Sequence, residues 1–278
     1  MTFLRVLVDS VFLLQKSPRL FIPKVLVAFF LLPTFILIPH FMIQSGLFEL
    51  DQTLTEQELV TALEAIGPLF LVVFYGLLVN LVDFFVINPM YPVMVKQYYD
   101  NEKVSFKRAF GVVMRRFGTI LPALLAILII TFAVMTPVAI LITVGILLQS
   151  NFVLSVSAVA GFLLVFALFV IFYLVYPISS LERFSFVRSI KETAKTSLKH
   201  KVNVSKAFLI SLLITGASYF FGLLIALPSS NEQMWAKLSL FALFVFARVM
   251  VSIFSTYQYV LNAVFYLGLE KNQFLKVV

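Results

Sequence analysis

The chain has 278 residues, of which 62% are hydrophobic and 12% are charged, and its 21 Lys and Arg outnumber its 13 Asp and Glu. Soluble domains are about 45 to 50% apolar and about 25% charged, so this composition excludes an ordinary soluble protein and indicates a membrane protein. The chain contains no cysteine, which excludes disulfides, thiolate metal sites and cysteine nucleophiles.

Six stretches are apolar and long enough to cross a membrane, since a helix needs about 20 mostly apolar residues to cross a hydrocarbon core about 30 Å thick. The predicted spans lie at about residues 21–43, 67–92, 118–148, 153–177, 207–227 and 238–268. We therefore predict an all-α, polytopic membrane protein in which residues 1–278 form a single integral membrane domain.

The basic residues are distributed on one side of the predicted spans. Four lie before the first span or at its start, with Lys24 as the fourth, six lie between the second and third, seven between the fourth and fifth, and two after the sixth. Nineteen of the 21 Lys and Arg thus lie on one face, which the positive-inside rule assigns to the cytoplasm together with both termini. We expect a multi-pass protein of the cell membrane and no nucleic-acid partner.

The N-terminus carries Arg5, Asp9 and Lys16 among apolar residues and has no small-residue cleavage site. We therefore expect the first span to remain in the mature protein. The opposite loop, residues 44–66, contains five acidic and no basic residues. Its Thr55-x-x-Glu58 spacing is typical of a helix cap, so we predict a short helix over the outer end of the bundle, either as solvated surface or as a partner's docking site.

A short motif that mixes Phe with basic residues recurs on the basic face. SFKRAF at residues 105–110 returns as SFVRSI at 185–190, and a fainter copy, FLRVL, begins at Phe3. In the third copy Phe186 and Leu198 share one helical face with Ile190 and Ala194, while basic residues lie on another. Such helices are typical of the membrane interface.

Basic residues of these three helices are predicted to contact anionic lipid headgroups. They are Arg5, Arg108, Arg115, Arg116, Arg188, Lys191, Lys195 and Lys199. Two interpretations stay open: the helices anchor and orient the protein, or they bind a specific lipid or protein partner.

Each amphipathic helix precedes a span out, a loop and a span back, which defines three repeat units at about residues 3–92, 106–177 and 186–268. Two spans return the chain to the side on which the unit began, so the units are parallel. Parallel repeats are related by an axis along the membrane normal. We predict three helical hairpins with pseudo-threefold symmetry.

The sixth span carries an intramembrane polar stripe. Arg248, Ser252, Ser255, Tyr259, Asn262 and Tyr266 follow steps of four, three, four, three and four residues. This spacing keeps them on one helical face, which should lie inside the bundle because a charge facing lipid is costly. Asp83 in the second span, beside Asn80, is the predicted acidic partner of Arg248. The stripe is interpreted as a structural network, a substrate or ion pathway, or a lipid-headgroup site.

Three pieces of the chain resemble a known superfamily: VSFKRAF after the second span, RSIKETAKTSLKHKVNV after the fourth, and YQYVLNAVFYLGLEK closing the sixth. They resemble a broad bacterial and archaeal group of six-span membrane proteins. This group includes the membrane domain attached to some glycerophosphodiester phosphodiesterases and the YciC-like proteins. The resemblance implies the six-span architecture and no catalytic residue.

Catalytic motifs are absent from the sequence. His40 and His200 are predicted on opposite faces, so they cannot share a metal or a triad, and HExxH, GxSxG and GxxxxGK[ST] patterns are missing. We predict a non-enzymatic protein with no catalytic residue, metal or cofactor. Its expected role is to organise or bind membrane lipids, with anionic lipids favoured by charge, or to serve with protein subunits in a larger assembly. The alternative is a small transporter or channel that uses the polar stripe.

Overall fold

The computed structural model describes residues 3–44, 56–223 and 234–270, and every regular element in these ranges is helical. The all-α prediction is therefore confirmed for this part of the chain. The α-helices are α1 (Phe3–Lys16), α2 (Ile22–Gln44), α3 (Glu56–Val82), α4 (Asn88–Tyr99), α5 (Phe106–Arg115), α6 (Phe117–Leu147), α7 (Asn151–Phe172), α8 (Val175–Leu181), α9 (Phe186–Lys199), α10 (Lys201–Leu223) and α11 (Met234–Glu270).

Three helical segments among the described residues are long and apolar enough to cross a membrane: Ile66–Tyr99, Phe117–Leu147 and Asn151–Leu181. A fourth is added if Leu4–Lys16 and Pro18–Thr34 form one broken span, although their axes differ by 96°. The chain thus has the helices expected of a membrane protein. The count of six spans and the side on which the termini lie stay predictions.

The predicted short helix of the outer loop is not a separate element. Helix α3 begins at Glu56 and continues without a break to Val82, so the first turns of α3 occupy much of the predicted loop. Pro68 lies inside this helix without ending it. In a membrane helix, neighbouring groups can satisfy the backbone carbonyl that a proline leaves without a hydrogen bond. Residues 45–55, including Thr55, lie outside the described ranges.

The repeated serines begin the two basic helices. Ser105 and Ser185 are the N-cap residues of α5 and α9, and the Ser105 hydroxyl accepts a hydrogen bond from the Arg108 backbone N–H. Serine is favoured at this position because its side chain replaces a missing backbone acceptor. The two copies of the motif that contain this serine therefore each start a new helix.

Helices that follow one another pack side by side: α2 on α3, α6 on α7, and α10 on α11. Gly161 of α7 lies against Val138 of α6, where an added Cβ would come within 2.9 Å of the valine side chain. The absence of a side chain at Gly161 thus allows close approach of these helices.

The well-packed core lies near α4, α8 and the C-terminal part of α11. Tyr91, Leu174 and Phe265 are all fully buried there, and α1 packs across α11. Farther along the long helices, large apolar side chains are exposed, among them Phe132 at 73% and Phe152 at 78%. Exposed aromatic surface of this kind is suited to contact with lipid rather than water.

Candidate functional site

A buried ion pair joins the start of α2 to the end of α3. The Lys24 ammonium donates to both Asp83 carboxylate oxygens, at 2.8 and 2.6 Å, and to the Asn88 side-chain oxygen at 2.8 Å. Lys24 is only 6% exposed. An ammonium has three N–H donors, and here each has an acceptor, so the buried charge is fully hydrogen-bonded.

A local change of helix type positions Asp83. The backbone N–H of Asn88 donates to the Asp83 carbonyl, five residues back, and residues Asp83–Ile87 form a π-turn. Pro89 has no N–H with which to continue the α-helical ladder to Phe85. The chain adopts the wider turn just before this proline, and such π-turns in α-helices often occur at functional sites.

Aromatic rings enclose the ion pair. The Lys24 ammonium lies 4.7 Å from the centre of the Tyr259 ring on α11, within the range of a cation–π interaction. Tyr91 stacks on Tyr259 with ring centres 5.6 Å apart, and Tyr176 meets Tyr259 edge to face at 5.8 Å. The site therefore brings together α2, α4, α8, α11 and the π-turn.

Hydroxyl groups extend the site along α11. Thr256 donates to the Ser252 carbonyl at 2.7 Å, and Ser252 donates to the Arg248 carbonyl at 2.9 Å. The Tyr91 hydroxyl lies 3.4 Å from the Thr256 hydroxyl. Because the Thr256 proton is already directed to a carbonyl, Tyr91 is the donor in this contact.

Asn262 and Tyr266 connect α11 to the segment that follows α7. The Asn262 side chain donates to the Tyr173 carbonyl at 2.7 Å, and the Tyr266 hydroxyl donates to the Glu182 carboxylate at 2.8 Å. Pro177 lies four residues after Tyr173 and has no N–H, which leaves the Tyr173 carbonyl available to Asn262. These contacts support the interpretation of the stripe as an interhelical network.

The predicted pairing of Asp83 with Arg248 is wrong, because Lys24 occupies both oxygens of the Asp83 carboxylate. Sequence counting had placed Lys24 among the charges flanking the first span. Arg248 instead lines an apolar cavity of about 430 Å³ between α2 and α11, beside residues such as Phe29 and Val249. Ser255 on the same stripe is half-buried.

The prediction that Asn80 joins Asp83 in one site is also wrong. Asn80 is exposed, and its side chain donates to the Gly76 carbonyl of its own helix at 2.7 Å. A polar side chain in a helix can satisfy itself on the carbonyl four residues earlier. Proximity in sequence to Asp83 therefore does not place Asn80 in the polar cluster.

The residues predicted to contact lipid headgroups fall into separate groups. Arg188, Lys191, Lys195 and Lys199 are exposed along α9, and Arg5 is exposed on α1. Arg108, Arg115 and Arg116 instead line one cleft beside α4 and α8. Arg116 is half-buried rather than directed fully to water, because it lies at the junction of α5 and α6.

Sequence reasoning missed Lys24, Asn88 and Thr256 as site residues. Lys24 lies within the first predicted span, and Asn88 directly precedes Pro89, so both carried a usable signal. Thr256 lies one position beyond Ser255 and is not a member of the predicted polar stripe. The sequence pattern also did not predict that the buried face of α9 consists of Ser and Thr residues.

No protein-family model matches the chain, and no curated protein or solved structure matches it either. Among the described residues, no three His, Asp or Glu side chains lie close enough together to hold a metal ion. The arrangement of a satisfied ion pair, enclosing tyrosines and interhelical hydrogen bonds is therefore interpreted from its own geometry.

Proposed function

We propose that this protein is a non-enzymatic integral membrane protein that binds and organises anionic lipid through basic amphipathic helices on its cytoplasmic face. It acts alone or as the membrane subunit of a larger assembly. The buried ion pair at Lys24 and Asp83 holds the helices together, and the basic face meets the lipid.

The observation that supports this proposal most directly concerns α9. Its buried face consists of small hydroxyl residues, Ser189, Thr193, Thr196 and Ser197, and the helix packs on α6, α7 and α8. Its large apolar side chains stay exposed instead: Phe186 at 41%, Val187 at 46% and Leu198 at 54%. Exposed apolar and basic side chains on one helix suit a membrane interface, where each finds a matching environment.

Helix α5 supports the same proposal. Phe110 and Met114 are exposed at 42% and 37%, and Phe106 stacks on Phe110 with ring centres 6.4 Å apart. Lys107 and Arg115 are exposed on the same helix. Only Ala109 and Val113 of α5 are buried, so packing leaves its aromatic and basic side chains available to lipid.

We propose a six-span architecture of three parallel hairpins, with both termini in the cytoplasm and the protein in the cell membrane. The side-by-side packing of α2 with α3, α6 with α7 and α10 with α11 supports the hairpins. The 96° bend between Leu4–Lys16 and Pro18–Thr34 supports an α1 that lies along the membrane surface. Membership of the six-span superfamily that the sequence resembles is proposed from the same pattern.

Replacing Lys191 and Lys195 together with Gln is expected to weaken retention of anionic lipid about thirtyfold. Each lysine near an anionic surface contributes about 1 kcal/mol, and about 1.4 kcal/mol corresponds to a factor of ten. Native mass spectrometry of the purified full chain, mixed with phosphatidylglycerol and phosphatidylcholine, measures the retained lipid. The matched control replaces both lysines with Arg and should retain lipid as the original chain does. Equal loss in both variants, or no preference for phosphatidylglycerol, contradicts the proposal.

A second candidate function is a small transporter or channel with a route past Asp83 and the α11 stripe. The observation in its favour is the buried charge pair, since ionisable residues inside membranes often mark ion or proton pathways. Flux of protons or sodium across liposomes distinguishes the two candidates. A flux that disappears in a folded variant with both Lys24→Met and Asp83→Leu supports transport, whereas no flux in the original chain contradicts it.

A further inference from the structure

The basic face contains a cleft that the repeat pattern did not predict. It lies between the end of α4, helix α5 and the end of α8, and its volume is about 430 Å³. Five basic side chains line it, namely Lys96, Arg108, Arg115, Arg116 and Arg183, against two carboxylates, Asp100 and Glu102. Glu102 forms an ion pair with Arg108 at 2.5 Å. The remaining charge is still strongly positive and favours an anion.

The cleft is lined by two buried polar residues as well as by surface charges. Gln97 and Ser180 line the cleft and are only 5% and 2% exposed. Within the described part of the chain, neither the Gln97 Nε2 nor the Ser180 hydroxyl has a hydrogen-bond partner. Buried polar groups are nearly always hydrogen-bonded, so two residues of the cleft lining carry donors that are left for a bound acceptor.

The orientation of the Gln97 amide follows from its neighbour. The Ser105 backbone N–H donates to the Gln97 Oε1 at 2.8 Å, and a backbone N–H can only donate. The oxygen of the amide must therefore face Ser105, which leaves the Nε2 group, with its two N–H donors, for the ligand.

Arg116 is the basic residue best placed to prefer a bound anion over water. It is half-buried, and this burial lowers the pKa of its guanidinium. An anion in the cleft would compensate the hydration that Arg116 has lost. Guanidinium groups bind phosphate oxygens in pairs, and such charge-assisted hydrogen bonds are about twice as strong as neutral ones.

We infer that this cleft binds a phosphate group, held by Arg115, Arg116 and Lys96 and by the buried donors of Gln97 and Ser180. A phosphomonoester dianion has acceptor oxygens only, and inorganic HPO4²⁻ has three acceptor oxygens beside one hydroxyl, so both match a lining of guanidinium, ammonium, amide N–H and hydroxyl donors. The phosphate belongs either to an anionic lipid headgroup or to free phosphate. In the first case the inference rests on the proposed function and adds a specific site to it; in the second it is independent.

The decisive variant is Gln97→Glu. It keeps the oxygen that accepts from Ser105 and the shape of the side chain, but it replaces the two amide donors with a carboxylate. Arg116→Gln is the second variant and removes one charge from the cleft. Lys103→Gln is the matched control, because Lys103 is an exposed basic residue between α4 and α5 that is not part of the cleft lining. The thermal unfolding midpoint of each variant shows whether it is folded.

The full chain in phosphatidylcholine nanodiscs is titrated with inorganic phosphate by calorimetry, and its retention of phosphatidic acid is measured by native mass spectrometry. We expect Gln97→Glu and Arg116→Gln each to weaken binding about tenfold or more, as when a charge-assisted hydrogen bond is lost, and Lys103→Gln to change it less than about twofold. Binding of inorganic phosphate with this pattern supports a free-phosphate site. Retention of phosphatidic acid alone with this pattern supports a headgroup site.

Three outcomes overturn the inference: neither probe binds, Gln97→Glu has no effect on binding, or Lys103→Gln weakens binding as much as the two cleft variants. Loss of lipid on replacing Lys191 and Lys195, with no effect of Gln97→Glu, leaves the proposed function standing and removes the cleft site. A strong effect of Gln97→Glu, with no effect of replacing the α9 lysines, supports the cleft site and contradicts lipid binding by α9.

Discussion

Replacing Asp83 with Asn is expected to destabilise the folded protein by roughly 3 to 5 kcal/mol, the cost of leaving one partner of a buried ion pair uncompensated. The Lys24 ammonium is 6% exposed and has both Asp83 oxygens as acceptors. Asn preserves the size of the side chain but supplies only one oxygen and no charge. The free energy of unfolding, measured by titrating a mild detergent solution with a denaturing one, reports the effect.

The double variant with Lys24→Met and Asp83→Leu separates the pair from other causes. Removing both charges abolishes the uncompensated ammonium, and apolar replacements of buried pairs are often neutral or stabilising. We therefore expect the double variant to recover most of the lost stability. Glu102→Gln is the control, since its pair with Arg108 is exposed and exposed pairs contribute about 1 kcal/mol or less. A double variant as unstable as Asp83→Asn contradicts the assignment.

Replacing Tyr91 with Ala is expected to destabilise the protein by about 3 to 5 kcal/mol, as is typical of a buried aromatic side chain replaced by Ala. Tyr91 is fully buried and stacks on Tyr259, which in turn lies against the Lys24 ammonium. Loss of the ring leaves a cavity between α4 and α11. Tyr259 then lacks the ring that holds it against the Lys24 ammonium. Unfolding in the same detergent titration measures the loss.

Two further variants define the origin of the Tyr91 effect. Tyr91→Phe keeps the ring and loses the hydroxyl, which lies 3.4 Å from the Thr256 hydroxyl, so we expect a change of less than about 1 kcal/mol. Phe132→Ala removes a ring that is 73% exposed, and surface changes of this kind usually stay within about 0.5 kcal/mol. If Tyr91→Ala is no more harmful than Phe132→Ala, the packed core does not depend on Tyr91.

The basic residues of α9 and those of the cleft differ in their surroundings, and this difference separates general attraction from specific binding. The charges of α9 are exposed, so salt should weaken their attraction to lipid strongly. Arg116 lies half-buried in a cleft with Gln97 and Ser180, where screening is weaker. The two proposals therefore assign a general attraction of anionic lipid to α9 and the selection of a phosphate group to the cleft.

The positions of the long helices could be predicted from the sequence, because they depend on local hydrophobicity and segment length. The predicted third span at 118–148 corresponds to α6, Phe117–Leu147, and the predicted sixth at 238–268 lies within α11, Met234–Glu270. A long apolar segment forms a helix in a membrane wherever it lies, since its backbone has no other way to satisfy its hydrogen bonds. The stripe on α11 followed from helical periodicity in the same way.

The hydrogen-bond and ion-pair partners of the polar residues could not be predicted from local sequence. Lys24 and Asp83 are separated by 59 residues, and periodicity says which face of a helix is polar but not which helix lies opposite. Charge counting placed Lys24 outside the bundle, although long basic side chains at helix ends can bury their stems and reach inward. The sequence also did not indicate that α9 packs on the protein through its small hydroxyl residues, which allow closer packing than its large apolar ones.

The sequence by itself determined the helical, membrane-type character of this protein, the starts of its basic helices and the polar stripe on α11, because all of these depend on composition and short-range spacing. Only the tertiary structure decided that Lys24 neutralises Asp83, that Asn80 stays on its own helix, and that Gln97, Arg116 and Ser180 line one cleft. These juxtapositions depend on how distant helices pack, and two prolines that interrupt the backbone ladder, Pro89 and Pro177, determine where the backbone departs from regular α-helix.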